Sequence, residues 1–196
     1  MSLFAAPQAD RAKPSSVVED ALVNHDAVED LAETLQQLLQ DLEQNLPDGV
    51  VAVLHGTPLG HPLHPILVHL PLGGWMIAGM LDFYPGPKSE ATERAADLAL
   101  TLGTVGAVAT IATGWTDWAG TRGEARRTGL IHGALNETAF LLNVGSVLAR
   151  RRQRRGLGKL LSGAALGLAL AGGFLGGQLV YRHGLGVGQT LDHPQG

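Results

Sequence analysis

The sequence predicts an all-α protein: a four-helix transmembrane bundle with an N-terminal extracytoplasmic amphipathic helix. Three observations predict it. Charge divides the 196-residue chain, because residues 1–48 hold 10 of its 18 acidic residues while residues 98–116 and 160–181 hold no charged residue. Four apolar segments, near 66–83, 95–115, 129–149 and 160–181, contain 18–22 residues each. As helices they measure about 27–33 Å, which matches a bilayer core of roughly 30 Å. In the acidic part, apolar residues recur at helical spacing. A soluble bundle is the competing reading, and the uncharged Gly-, Leu- and Ala-rich 160–181 run argues against it.

The first unit, residues 1–48, combines a tail with an acidic helix. Residues 1–16 are rich in Ala, Pro and Ser and are expected to be disordered. Residues 17–46 read as an amphipathic helix with Val28, Leu31, Leu35, Leu38 and Leu42 at spacings of 3 and 4. Ser16 followed by Glu19 forms a capping box, and Pro47-Asp48-Gly49 is expected to end the helix. The formal charges of this helix are all negative, which argues against nucleic acid as a partner. Its apolar stripe needs a mate: a second copy through residues 17–46, the membrane domain, or a partner protein. The first twenty residues lack a basic start followed by an apolar run, so the first apolar helix is expected to act as the insertion signal.

The second unit, residues 49–190, holds the four apolar helices, and 191–196 is a short tail. Orientation follows from Lys and Arg. The 150–159 stretch "RRRQRRGLGK" carries six, and the first loop adds Lys88 and Arg94. The middle loop has Arg122, Arg126 and Arg127. Positive charge is retained in the cytoplasm, so loops one and three face inward, and both termini and the 116–128 loop lie outside. Gly163/Gly167, Gly172/Gly176 and Gly173/Gly177 are small-xxx-small pairs that permit close helix approach. Gly103, Ala107, Thr110, Gly114 and Asp117 form a small, partly polar seam on the second helix.

This topology gathers the histidines. "GHPLHPILVHLP", residues 60–71, puts His61, His64 and His69 at the outer end of the first helix. The same end receives Trp115, Asp117 and Trp118 from the second helix, His132, Asn136 and Glu137 from the third, and Gln178, Arg182 and His183 from the fourth. Pro65 suits a first helical position, which makes His64 a cap residue. Trp115, Trp118 and Tyr181 are interface anchors, and His183 precedes Gly184 at a helix end. His69 and His132 each lie about four residues, or ~6 Å, inside their helices. Glu137 is an ionisable group within a span, where charge is costly and marks function or pairing. His132, Asn136 and Asn143 share one helix face. Pro71 removes a backbone bond just below His69, so that helix is expected to bend.

Chemically, two histidines on separate helices suit a b-type haem clamped from both faces, or a metal shared with a carboxylate. Interhelical hydrogen bonding is the alternative use. The chain has no cysteine, which excludes disulfides, thiolate zinc and an iron–sulfur cluster ligated within it. No CxxCH or HExxH motif, nucleophile triad or phosphate-binding glycine loop is present, and the chain is not expected to be an enzyme by itself.

Four stretches, "LHGTPLGHPLHPILVHLPLGGWMIAGMLD", "TGWTDWAGT", "RRTGLIHGALNETAF" and "FLGGQLVYRHGLGVG", resemble the bacterial multi-pass membrane domain of unknown function 2231 over about residues 50–190. The resemblance implies four membrane helices in the cytoplasmic membrane of a bacterium. The family often occurs fused to, or encoded near, a Rieske iron–sulfur domain, which implies an electron-transfer anchor. Its shared motifs fall here on His61, His64, His69, Asp82, Trp115, Asp117, Trp118, His132, Asn136 and residues 184–187. Many relatives carry "GGHL" where this chain has "GGQL", so Gln178 stands in place of a histidine. No Rieske domain is expected after "QTLDHPQG".

Three functional expectations follow. The first is a subunit or anchor of an extracytoplasmic-facing redox assembly. It would hold haem b between His69 and His132 with His64 in reserve, while Asp117, Asn136 and Glu137 orient imidazoles or manage protons. Its partner would be a Rieske-type or other redox protein in trans. The second is a non-catalytic membrane scaffold that docks a partner, or another copy, through the acidic helix. The third is a metal or proton site built from His61, His64, His69 and Asp117.

Overall fold

The computed structural model describes residues 26–87 and 89–186, all in helices and short connections. The 1–16 tail, the Ser16–Glu19 capping box, Lys88, Val187 and the 191–196 tail lie outside the described residues.

The described residues form seven α-helices in chain order: α1 (Asp26–Gln44), α2 (Asp48–Leu54), α3 (His64–Leu67), α4 (His69–Phe83), α5 (Glu90–Ala119), α6 (Gly123–Arg151) and α7 (Arg155–Tyr181). A 3₁₀ turn, Thr57–Leu59, bridges α2 and α3. Helices α4 to α7 pack in a ring in which α4 touches α5 and α7, and α6 touches α5 and α7. Helices α4 and α6 therefore stand diagonally opposite. One end of the ring carries α1 (the arm end), and the other carries the α6–α7 turn (the arginine end).

Among the described residues, three helical stretches are long and apolar enough to cross a membrane: His64–Phe83, Glu90–Ala119 and Arg155–Tyr181. Residues 129–149, expected as a fourth span, are helical as part of α6, a helix of 29 residues. Its polar side chains make it less apolar than those three stretches. The helices run past the apolar limits because polar residues continue them. Ser89 caps α5, its Oγ accepting from the Thr92 N–H at 3.1 Å, with Glu90 and Glu93 in the first turn.

Two local expectations change. Pro47-Asp48-Gly49 does not simply end a helix. Helix α1 stops at Gln44, Pro47 stands at the N-cap position of α2, and Gly49 lies inside that helix. The bend expected near Pro71 coincides with a one-residue irregularity at Val68, between α3 and α4, where the backbone stays right-handed helical (φ −57°, ψ −24°). Proline has no N–H, so the Leu67 carbonyl loses its bond from four residues ahead. The Thr110 hydroxyl lies 3.1 Å from that carbonyl and 3.0 Å from the Gly106 carbonyl, and its one proton is shared between them. A residue of the predicted small seam thus accommodates the break. Further along the same seam, a Cβ on Gly74 would lie 2.7 Å from the Gly103 Cα, which is why α4 and α5 meet through glycines.

The core at mid-height combines Trp75, Ala78, Leu100, Ala107, Ala139, Ala165 and Ala169. The Trp75 indole donates to Thr104 Oγ1 at 3.2 Å, so its one polar atom is satisfied.

Candidate functional site

At the arm end, α1 lies on the α5–α6 turn. Ala32 is completely buried against Trp118 and Leu130, with Val28, Leu35, Leu39 and Trp115 around them. Gln36 Nε2 donates to the Trp118 and Thr121 carbonyls, each at 3.0 Å, and Gln40 donates to the Ala119 carbonyl at 3.0 Å. These carbonyls close the C-terminal end of α5, where the Trp118 carbonyl also accepts from the Thr121 N–H at 2.9 Å. Arg126 pairs with Glu29 and with Glu33 (2.9 Å), and Arg127 pairs with Glu29 at 3.0 Å. Leu31, Leu38 and Leu42 remain more than half exposed. The predicted apolar stripe is thus divided: Val28 and Leu35 meet the bundle, and the other three leucines face outward.

The sequence-derived site residues separate into distinct contacts. His61 is exposed and lies 3.2 Å from the Pro62 carbonyl through Nδ1. His69 is exposed too, its Nδ1 3.1 Å from the Ile66 carbonyl one turn back. His64 reaches across to α5, with Nδ1 2.9 Å from the Thr110 carbonyl. A Cβ on Gly114 would lie 2.8 Å from that ring, so glycine makes the approach possible. His132 reaches α7, its Nδ1 2.7 Å from the Gly172 carbonyl. Asn136 Nδ2 donates to the His132 carbonyl at 2.8 Å.

Trp115 donates its indole N–H to Glu137, and its ring meets Trp118 edge-on at 5.0 Å between centroids. The half-buried acid therefore has a fixed donor. Asp117 is half-buried, with His64 and His55 as its electrostatic neighbours. His64 is likewise an electrostatic neighbour of His132. The structure thus associates Asp117, His64 and His132. It places His69 on the diagonal helix α4, turned outward. Among the described residues, no three His, Asp or Glu side chains converge on one metal position. His61, His64 and His69, expected as a metal trio, make three unrelated backbone contacts instead.

Both His64 and His132 direct Nδ1 at a main-chain carbonyl. That contact places the proton on Nδ1 and leaves Nε2 as the acceptor or ligand atom. It also ties α3 to α5 and α6 to α7. His183 lies past α7, and Gly184 after it has φ +71°. The neighbouring Arg182 pairs with Glu124 at 2.6 Å.

A second polar constellation, at the arginine end, escaped the sequence reading. The Arg150 side chain is buried and binds Asp82 Oδ2 at 2.5 Å, Asp97 Oδ1 at 2.8 Å, Ser162 Oγ at 3.0 Å and Ser146 Oγ at 3.1 Å. Arg155 pairs with Asp82 (3.1 Å), Asp97 (2.9 Å) and Glu93 (3.1 Å), and Lys159 Nζ lies 3.8 Å from Asp82. Three cations thus meet three carboxylates contributed by four helices. Half of the six basic residues of "RRRQRRGLGK" are internal ties. Asp82, a lone acid closing an apolar span, was the available signal.

One pattern joins the two constellations. His132, Asn136, Ala139, Asn143, Ser146 and Arg150 repeat at spacings of 4 and 3 along α6. On antiparallel α7, Gly158, Ser162, Ala165, Ala169, Gly172 and Gly176 repeat at the same spacings. Contacts at both ends set the register. A Cβ on Gly176 would lie 3.0 Å from the His132 ring, one on Gly172 2.5 Å from the Asn136 amide, and one on Gly158 2.6 Å from Arg150 Cγ. Ser146 Oγ donates to the Gly158 carbonyl at 2.6 Å. Of the three predicted glycine pairs, Gly172/Gly176 serves this interface. A Cβ on Gly167, Gly173 or Gly177 would meet nothing within 4 Å, and one on Gly163 would meet Phe83.

The model of a family described as predicted membrane protein (DUF2231) matches residues 60–189. No curated protein and no solved structure matches the chain.

Proposed function

The chain belongs to the DUF2231 family of predicted membrane proteins, and from that premise we propose that it is a non-catalytic membrane scaffold that presents α1 to an extracytoplasmic partner. Helices α3/α4, α5 and α7 cross the bilayer as the apolar spans. Helix α6 crosses as the fourth, its polar stripe sheltered by the small residues of α7. Charge supports the orientation. Among the described residues, the arm end carries ten acidic and four basic residues, and the arginine end four acidic and seven basic. Retention of positive charge puts the arginine end in the cytoplasm and α1 outside a bacterial cytoplasmic membrane.

The observation that carries the scaffold reading is the division of α1. One face is bolted to the bundle by Arg126, Arg127, Gln36 and Gln40, while Leu31, Leu38 and Leu42 stay exposed. Those leucines are bordered by exposed Asp30 and Asp41. A second copy would bring like charges together there, so the favoured occupant is a partner with an apolar strip flanked by basic side chains. The test is native electrophoresis of membranes extracted from cells that express Leu31→Asp/Leu38→Asp/Leu42→Asp. The reading expects a wild-type complex to dissolve while the variant stays folded. An assembly of unchanged size sinks it.

A second reading, a redox subunit holding haem b, keeps one support. The pair His69 and His132 does not suit the group, because His69 is exposed on the diagonal helix and His132 is packed on α7. His64 and His132 retain the Nδ1-to-carbonyl geometry of ligating imidazoles. Bound between them, haem would supply one-electron transfer, for which a Rieske-type protein is the partner class that the family context offers. A reduced-minus-oxidised absorbance spectrum of protein purified from haem-sufficient cells decides it. A flat visible spectrum removes this reading and leaves the scaffold.

A further inference from the structure

The α6–α7 turn holds a charge surplus that the internal network does not use. Asp82, Asp97 and Glu93 are engaged by Arg150, Arg155 and Lys159, and Glu90 is engaged by Arg94. Arg151, Arg152 and Arg154 are exposed, and among the described residues no carboxylate pairs with them. We propose that these three arginines bind the phosphate headgroups of anionic phospholipids.

Three features carry this. First, the turn is rigid. The Arg154 N–H donates to the Ala149 carbonyl at 2.9 Å and the Gln153 N–H to the Arg150 carbonyl at 3.0 Å, with Gln153 at φ 60°. This is the Schellman closure of a helix, and it gives the three side chains a common, ordered base. Second, the level is right. Helix α7 begins at Arg155 as a candidate membrane span, so residues 151–154 lie just beyond the apolar run, where headgroups are found. Third, the surroundings select a lipid over free phosphate. Leu148, Leu157 and Leu160, within two turns of the arginines, are 47%, 45% and 69% exposed and offer acyl chains a contact that inorganic phosphate cannot use. The planar guanidinium fork fits phosphate oxygens pairwise, and basic clusters beside a span attract anionic lipid.

The test is native mass spectrometry of the full chain in detergent, titrated with phosphatidylglycerol or phosphatidylcholine. The wild type is expected to retain phosphatidylglycerol about tenfold better. Arg151→Gln/Arg152→Gln/Arg154→Gln should bring the ratio within about twofold, whereas the corresponding triple Lys variant keeps most of it. Arg94→Gln, which alters an arginine already paired with Glu90, should change nothing. Equal retention of both lipids by the wild type overturns the proposal, and so does an equal loss in Arg94→Gln. Displacement of the bound lipid by millimolar inorganic phosphate overturns the lipid assignment. If the triple Gln variant does not fold, the wild-type comparison decides alone.

Discussion

Asn143 shows most directly what a single side chain costs in this interior. It is completely buried on α6, and among the described residues neither its amide nitrogen nor its amide oxygen has a hydrogen-bond partner. An unsatisfied buried polar group costs about 1–3 kcal/mol, whereas an apolar group of similar size in the same space costs little. Asn143→Leu is therefore expected to raise the thermal midpoint of the detergent-solubilised protein. A lowered midpoint would mean that the amide has a partner not accounted for. The sequence placed Asn143 on one face with His132 and Asn136 but could not say that it lacks a partner. A hydrogen bond depends on atoms from other helices. The same limit applied to His69. Its depth along the chain equals that of His132, but its direction is outward, because the rotation of a helix about its axis is decided by packing against other helices.

At the scale of elements, the helices were legible because apolar length and periodicity are local properties. Their junctions were not. The break between α3 and α4 is held by Thr110, which is 43 residues away from the carbonyl that it satisfies. Thr110→Val keeps the shape and removes the hydroxyl, so it should cost roughly 1 kcal/mol in stability and loosen α3. Thr110→Ser should cost less, because it keeps the donor. Amide hydrogen exchange across residues 64–68 reads the difference, and equal protection in both variants would show that the hydroxyl is irrelevant to the break. The fate of α1 was similarly undecided by its own pattern. Its stripe allowed three mates, and Arg126 and Arg127 selected the bundle.

For the whole molecule, the Arg150–Asp82 pair ties the C-termini of α4 and α6 at the arginine end. Asp82→Asn leaves a buried guanidinium without one of its counter-charges, a change that typically costs about 3–5 kcal/mol. It should lower the thermal midpoint far more than Glu90→Gln, which breaks an exposed pair. Comparable midpoints for the two variants would refute the dependence on this network. Topology can be measured cleanly because the natural chain has no cysteine. Gln37→Cys is expected to react with an impermeant maleimide in intact cells, and Gln153→Cys only after permeabilisation. Labelling of both from one side would refute the proposed orientation.

Helical class, helices apolar and long enough for a membrane, and family membership were all legible along the chain, since each rests on composition, length or motif order. So was the gathering of histidines at one end, which follows once helices alternate in direction. The contacts came from packing. It turned His64 and His132 into ties between helices, divided the α1 stripe, and hid half of the loop's cations against Asp82, Asp97 and Glu93. The physical reason is that burying apolar surface depends on how much there is, which composition records. Pairing a buried polar group depends on ångström-scale placement of partners distant in sequence, which only packing supplies.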